Sequence, residues 1–182
     1  PWAEDAAPGT VALLLHTSGT TSKPKLVPLT HGNICAGAAS IATTLRLEPC
    51  DVCVNVMPLF HIHGLAVNVL ATLVAGAAVA CEVALEPKRF FELVRGRTSV
   101  PAASWYSAVP TLHFAVAHTG EPGGVFWGED ALPRLQFARS CSAALPPSLS
   151  ERLERALAPA VALPTYAMTE SMPIASATAP RA

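Results

Sequence analysis

Charge is scarce in this sequence. Asp, Glu, Lys and Arg make up 14% of its 182 residues, against about 25% in ordinary globular chains. The net charge of -1 gives no electrostatic basis for binding nucleic acid or an anionic membrane surface. Cysteine is sparse and odd in number, with five residues at 35, 50, 53, 81 and 141. A secreted disulfide framework is normally even and denser, so free thiols in a reducing, intracellular compartment are expected; cytoplasm and peroxisome are not distinguished. Cys50 and Cys53 form a lone C-x-x-C pair, and a four-ligand zinc site lacks its second half. No apolar run reaches the roughly 20 residues of a transmembrane helix. The nearest, Leu65 to Cys81, is broken by Asn68, Thr72 and Gly76 and reads as a buried helix followed by a short strand. With 51% hydrophobic residues, an opening at Pro1 and an ending in Thr-Ala-Pro-Arg-Ala, the chain reads as a slice from the interior of a larger protein.

What is abundant is local. After an apolar run at Val11 to Leu15, which reads as a buried strand, comes Thr17-Ser18-Gly19-Thr20-Thr21-Ser22-Lys23-Pro24-Lys25. Five hydroxyls, a glycine that lets backbone N–H groups approach a ligand and two lysines suit a polyphosphate. A plain surface turn is the bland alternative, although it rarely needs so many donors. The NTPase P-loop is excluded, because there Gly-Lys-Ser/Thr runs straight into a helix. Here Pro24 precedes Lys25 and Leu26 follows it.

Further along, strand and helix signals alternate. Thr30 is placed as the N-cap of an Ala-rich helix reaching Leu45. Val52 to Met57 reads as a strand, Gly64 to Ala75 as a buried helix and Ala77 to Cys81 as a strand. Pro87 opens a helix to Val94, Val100 to Trp105 reads as a strand and Pro110 to Ala117 as a helix. His118 to Asp130, with its glycines, reads as an exposed loop. Leu135 to Ser140 is a strand, Pro147 to Leu157 an amphipathic helix and Val161 to Leu163 a short strand. The alternation argues an α/β fold of mostly parallel sheets covered by helices. Ligands then belong beyond the carboxyl ends of the strands, where the polar motifs fall.

Three such motifs follow the hydroxyl loop. Pro58-Leu59-Phe60-His61-Ile62-His63-Gly64 carries two histidines two apart, too few for a metal site without a third ligand. A turn with a packed histidine is the other reading. Arg139-Ser140-Cys141-Ser142-Ala143-Ala144-Leu145-Pro146 ends a strand in small residues. Tyr166-Ala167-Met168-Thr169-Glu170 offers a flat ring for a base, a hydroxyl and a hard carboxylate suited to Mg²⁺.

Together and in this order, the four stretches resemble the adenylate-forming ligases: acyl-CoA synthetases, luciferases and peptide-synthetase adenylation domains. Trp105-Tyr106-Ser107-Ala108-Val109-Pro110-Thr111 and His16-Thr17-Ser18 are similar to the oxalate–CoA ligase branch. The resemblance implies a fragment of the large N-terminal domain, with residues 1–48 ending a first α/β subdomain and 49–182 forming an incomplete second one. It implies ATP, Mg²⁺ and CoA as reaction partners and a small carboxylic acid as substrate. Thr17, Ser18, Gly19, Thr20, Thr21, Ser22 and Lys25 would hold phosphates. Ser142, Ala143 and Ala144 would lie along adenosine and the acyl group, with Tyr166, Ala167 and Met168 at the adenine. Thr169 would contact the α-phosphate, His61 would lie near the acyl group, and Glu170 would be the metal ligand; His61, Thr169 and Glu170 are the catalytic candidates.

Two departures stand out. Leu26 replaces a usual glycine and would be strained if that position needs positive φ. Pro173 replaces the histidine that helps hold the diacid in the oxalate branch. The family's ribose-binding aspartate and catalytic lysine would lie beyond residue 182, so the chain alone is expected to be inactive. A carrier-protein thiol in place of CoA, and a non-catalytic nucleotide-binding remnant, are the rival readings.

Overall fold

The computed structural model of the chain describes residues 6–17, 24–120, 122–126, 132 and 134–179. Residues Ser18 to Ser22 of the hydroxyl loop lie outside them. The chain opens with an antiparallel hairpin, β1 (Val11–His16) and β2 (Leu26–Thr30), in which Leu26 pairs with His16. This pairing removes the strain expected at Leu26. The residue starts a strand with extended backbone and is absent from the positive-φ residues, because the ladder, rather than the loop, sets its conformation. The strand at 26–30 was not anticipated, since Pro28 interrupts it; a two-stranded hairpin has free edges that tolerate a proline.

Thr30 then caps α1 (His31–Thr44). The Asn33 N–H donates to Thr30 Oγ1 at 3.2 Å and the Thr30 N–H donates to Asn33 Oδ1 at 3.1 Å, a reciprocal capping box. β3 (Val52–Asn55) is followed by a π-helical segment, His63–Leu70, that runs directly into α2 (Ala71–Val74). β4 (Ala78–Cys81) and α3 (Pro87–Arg95) follow, the helix capped by the Glu86 carboxylate, opened by Pro87 and closed by Gly96 at φ 69°. β5 (Trp105–Ala108), α4 (Pro110–Gly120), β6 (Phe137–Ser140), α5 (Pro147–Ala156), β7 (Val161–Met168) and β8 (Ser171–Ser176) complete the order.

The main sheet has six strands in the order β4-β3-β5-β6-β7-β8. All neighbours are parallel except the last pair. The α/β class, a mostly parallel sheet with helices on both faces, therefore holds. Side chains alternate across it. Tyr106 and Ala138 face one core with Phe90, Leu93, Val116 and Leu153. Trp105 and Phe137 face the other with Ile41, Val67 and Ala71. A third cluster, Leu15, Val27, Leu29, Ile62 and Ala66, seats the hairpin on the π-helical segment.

Four differences from the sequence reading have physical causes. The strand expected at 100–105 starts at Trp105, because Pro101 has no N–H for a central ladder and the wholly buried run is Trp105–Ala108. β7 runs on to Met168 and pairs with β8, which was not foreseen because it contains Pro173. As the last strand of the sheet, β8 has a free edge where a proline does no harm. The loop expected from His118 begins later, since α4 continues to Gly120. The helix expected from Gly64 begins one residue earlier and is π-helical for its first eight residues. All five cysteines are free, with Cys53 and Cys141 buried.

Gly64 fixes how this helix starts. A Cβ there would press into the Pro58 carbonyl and lie 2.7 Å from the Met57 carbonyl oxygen, both backbone atoms that cannot swing away. Gly64→Ala is expected to cost about 1–3 kcal/mol through forced backbone displacement, read as a lower urea midpoint. An unchanged midpoint would show that the turn at Met57–Pro58 yields freely.

Candidate active site at the carboxyl edge of the sheet

The parallel strands end in a row of small and hydroxyl residues. β6 leaves the sheet through Ser140, Cys141 and Ser142, and Ser142 has φ 73°, a left-handed conformation uncommon for a non-glycine residue. This backbone position sets the Ser142 Oγ 3.2 Å from His63 Nδ1. On the other side of the ring, His63 Nε2 lies 2.6 Å from Ser107 Oγ, at the end of β5. A hydroxyl both donates and accepts, so the pair satisfies either tautomer of the neutral ring. His63 is buried. Loss of solvation, followed by the nearby Arg139 charge, lowers its pKa from the ordinary 6.5 to about 3.

Around this ring the sheet interior is polar. Asn68, one turn along the π-helical segment, donates through Nδ2 to Asn55 Oδ1 at 2.8 Å and to the Ser107 carbonyl at 3.0 Å. Arg139 Nη1 donates to Ser107 Oγ at 3.4 Å. On the opposite face, Tyr106 donates its hydroxyl proton to His113 Nδ1 at 2.9 Å, and His113 Nε2–H donates to the Arg139 carbonyl at 3.2 Å. Burial brings the His113 pKa down to about 4, opposed by backbone hydrogen bonds to Arg139 and Ala108.

Beyond the strand ends lies a cavity of about 680 Å³, walled by Ser140, Ser142, Ala143, Ala144, Tyr166 and Ala167, among others. Five of the expected site residues are thereby brought together: Ser142, Ala143, Ala144, Tyr166 and Ala167. Tyr166 presents an exposed ring, and the two alanines leave the backbone approachable. Met168, Thr169 and Glu170 continue from this wall but do not line it. Met168 pairs with Ser171, so Thr169 and Glu170 form the tip of the β7–β8 turn, where Glu170 is exposed.

His61 also stands off the cavity wall. Its Nδ1 accepts from the His63 N–H at 3.1 Å, which leaves Nε2 free to meet a ligand. Partial desolvation lowers its pKa. Thr17 and Lys25 close the hydroxyl loop at its base: the Thr17 N–H donates to the Lys25 carbonyl at 2.9 Å and the Lys25 N–H donates to Thr17 Oγ1 at 3.2 Å. The Thr17 hydroxyl is thus engaged by the backbone, while the Lys25 side chain is exposed. The sequence reading gave no role to Ser107, Asn68 or Arg139. An arginine inside a four-residue strand buried on both faces, Phe137–Ser140, was the available signal.

The description "AMP-binding enzyme" belongs to the family whose model matches residues 1–182. A probable CoA ligase of Humulus lupulus is 41% identical over 167 residues, which is 90% of this chain and 30% of that protein. An oxalate–CoA ligase of Arabidopsis thaliana is 43% identical over 164 residues, 88% of this chain and 30% of its own length. Among solved structures, a malonyl-CoA ligase in complex with methylmalonyl-CoA and AMP superposes with a TM-score of 0.82 at 30% identity, covering 99% of this chain and 38% of that one. The chain thus spans about 30% of the curated relatives it matches.

The two buried histidines make stability depend on pH. Both are neutral when folded and ionise below about 6.5 when unfolded, so the unfolded chain binds more protons as acid is added. Their contribution is complete above pH 6.5 and is lost progressively toward pH 4 and below, following folded values of about 4 and about 3. The urea midpoint is expected to fall between pH 6.5 and 4, and to fall less steeply in His63→Gln. An equal slope in that variant would mean that His63 ionises in place.

Proposed function

This chain belongs to the AMP-binding enzyme family, and on that premise we propose that it forms the nucleotide- and acid-handling part of an acid–thiol ligase. A substrate carboxylate oxygen bonds to the α-phosphorus of ATP, the bond to pyrophosphate breaks, and acyl-AMP results. A thiol, CoA in this reading, then attacks the acyl carbonyl and AMP leaves. The observation that carries the reading is the cavity at the carboxyl ends of β6 and β7, where ligands of open α/β sheets bind. An exposed Tyr166 ring and the bare backbone of Ala143 and Ala144 share its wall. Relatives named as CoA ligases support the thiol step, and relatives named for oxalate, sulfoacetate and malonate support a short acid.

The residues take the parts that the family resemblance implies. Tyr166 stacks on the adenine, and Ser142 to Ala144 lie along the nucleotide and the acyl group. Lys25, with the hydroxyls of Thr20, Thr21 and Ser22, neutralises the phosphates, while His61 offers Nε2 at the edge of the acyl site. Thr169 donates to the α-phosphate. Mg²⁺ fits Glu170, an exposed carboxylate at the tip of the β7–β8 turn, directly after Thr169. One protein carboxylate suits a metal held mainly by phosphates and water. When bound, the metal neutralises charge on the phosphates; the protein's part is to position the reactants. The division into units 1–48 and 49–182, and a reducing compartment, belong to the same reading. Among the described residues no helix is long and apolar enough to cross a membrane.

The test is ATP–pyrophosphate exchange by the full-length protein, with short carboxylic acids supplied. Exchange should require an acid and fall by about 100-fold in Lys25→Ala, comparable to removing one charge-stabilising donor, with no change in thermal midpoint. Exchange at wild-type rate in folded Lys25→Ala would remove the hydroxyl loop from the reaction.

A further inference from the structure

In the reading above, the phosphates of ATP meet residues at the tips of two separate hairpins. Thr17 and Lys25 close the loop between β1 and β2. Thr169 and Glu170 form the turn between β7 and β8. The hairpins belong to different sheets, so packed side chains have to set the distance from one tip to the other.

Met172 is placed to set it. It lies in β8, two positions after Glu170. It packs against the cluster of Leu15, Val27 and Leu29 that seats the first hairpin, and against the cluster that contains Ala38 and Ile41 of α1. Helix α1 makes room for it at Gly37, which is buried where the helix meets β8. A Cβ at Gly37 would lie 3.0 Å from the Met172 carbonyl oxygen, and 3.2 and 3.3 Å from Met172 Cε and Cγ. Alanine would strengthen the middle of this helix, but it would hold β8 away. The helix also follows β2 without a break, because Thr30 both ends that strand and caps α1. The first hairpin, α1 and β8 are therefore joined through one side chain. Leu70 packs against the same two clusters, but from the end of the π-helical segment, remote in sequence from either tip.

We propose that Met172, seated at Gly37, is a positioning residue for the phosphate site. It holds the Thr169–Glu170 turn at a fixed distance from the hairpin of Thr17 and Lys25, and so aligns the Glu170 carboxylate with the phosphates. A flexible, unbranched thioether fills such an irregular notch well. Shortening it frees the turn to shift while the strands stay paired, and a displacement of about 1 Å can cost about 100-fold in rate. The inference rests on the phosphate and metal roles proposed above and adds the contact that keeps them in register.

The test measures ATP binding to the full-length protein by calorimetry, in Mg²⁺ and in EDTA. Wild type should bind more tightly with Mg²⁺. Met172→Ala should weaken binding in Mg²⁺ about 10-fold, the scale on which the support of a metal ligand acts, and leave binding in EDTA unchanged. Met172→Leu refills the notch and should restore most of the loss. Leu70→Ala should lower the thermal midpoint and keep the full gain from Mg²⁺. In pyrophosphate exchange, the Mg²⁺ half-saturation point should rise in Met172→Ala and stay put in Leu70→Ala. Gly37→Ala, which fills the notch from the helix side, should act as Met172→Ala does and carries the comparison if that variant does not fold. An intact Mg²⁺ gain in Met172→Ala, or the same loss in Leu70→Ala, overturns the proposal and leaves Met172 a packing residue. If wild type gains nothing from Mg²⁺, the metal role of Glu170 fails on its own, and amide hydrogen exchange decides the present point. Faster exchange over residues 168–171 in Met172→Ala, with the wild-type rate in Leu70→Ala, upholds the positioning. A wild-type rate in Met172→Ala, or equal acceleration in both variants, refutes it.

Discussion

The contact on which the site depends is the buried imidazole of His63 held between two serines. Ser107 ends β5, Ser142 lies past the end of β6, and His63 opens the π-helical segment. One neutral ring therefore ties a helix start to two strand ends and fixes the wall of the cavity. The ring can do this because burial keeps it uncharged, so one nitrogen donates and the other accepts, and a serine hydroxyl can meet either. Around it the chain adopts two uncommon conformations: a left-handed Ser142 and a helix of π geometry. Both kinds of departure concentrate where function, rather than packing, sets the backbone. Gly64 belongs to the same arrangement, since any larger residue would force the helix start away from Met57 and Pro58.

The polar interior around this ring is unusual for a parallel sheet, whose strands are ordinarily apolar on both faces. Asn55, Ser107 and Arg139 occupy the carboxyl half, joined by Asn68 from the π-helical segment, while Val52, Val54, Trp105 and Phe137 fill the amino half. Stability and chemistry are thereby separated along the strands. The amino half supplies the buried apolar area, and the carboxyl half carries donors at fixed positions. Those donors stay ordered because most are bonded to one another, and a satisfied buried network is rigid. Of the described residues that carry unsatisfied buried atoms, among them Arg139, Asn68 and Trp105, Ser140 is the one that lines the cavity.

Much of this was legible in the sequence. The alternation of apolar runs and capped helices gave the α/β class, and Thr30, Pro87 and the amphipathic run from Pro147 located three helices correctly. Residues 142–144, 166 and 167 were recognisable from their motifs and do share one cavity. What was not legible depended on pairing between distant segments. β2 and β8 each contain a proline, which argues against a strand until an edge position is known. Leu26 looked strained only while its partner His16 was unknown. His63 outranks His61 as the organising residue because of serines 44 and 79 positions away, a relation that no local pattern encodes.

The central claim is that one cavity holds adenine beside Tyr166 and an acyl group beside Ser142 in a single covalent species. Calorimetric titration of the full-length protein with a non-hydrolysable acyl-sulfamoyl adenosine, set against AMP, tests it most directly. An enzyme that forms acyl-AMP binds a mimic of that intermediate at least about 100-fold more tightly than the separate nucleotide. One-to-one binding with that gain is the expected result. Equal affinity for the mimic and for AMP would mean that no acyl site adjoins the nucleotide, and would contradict the account.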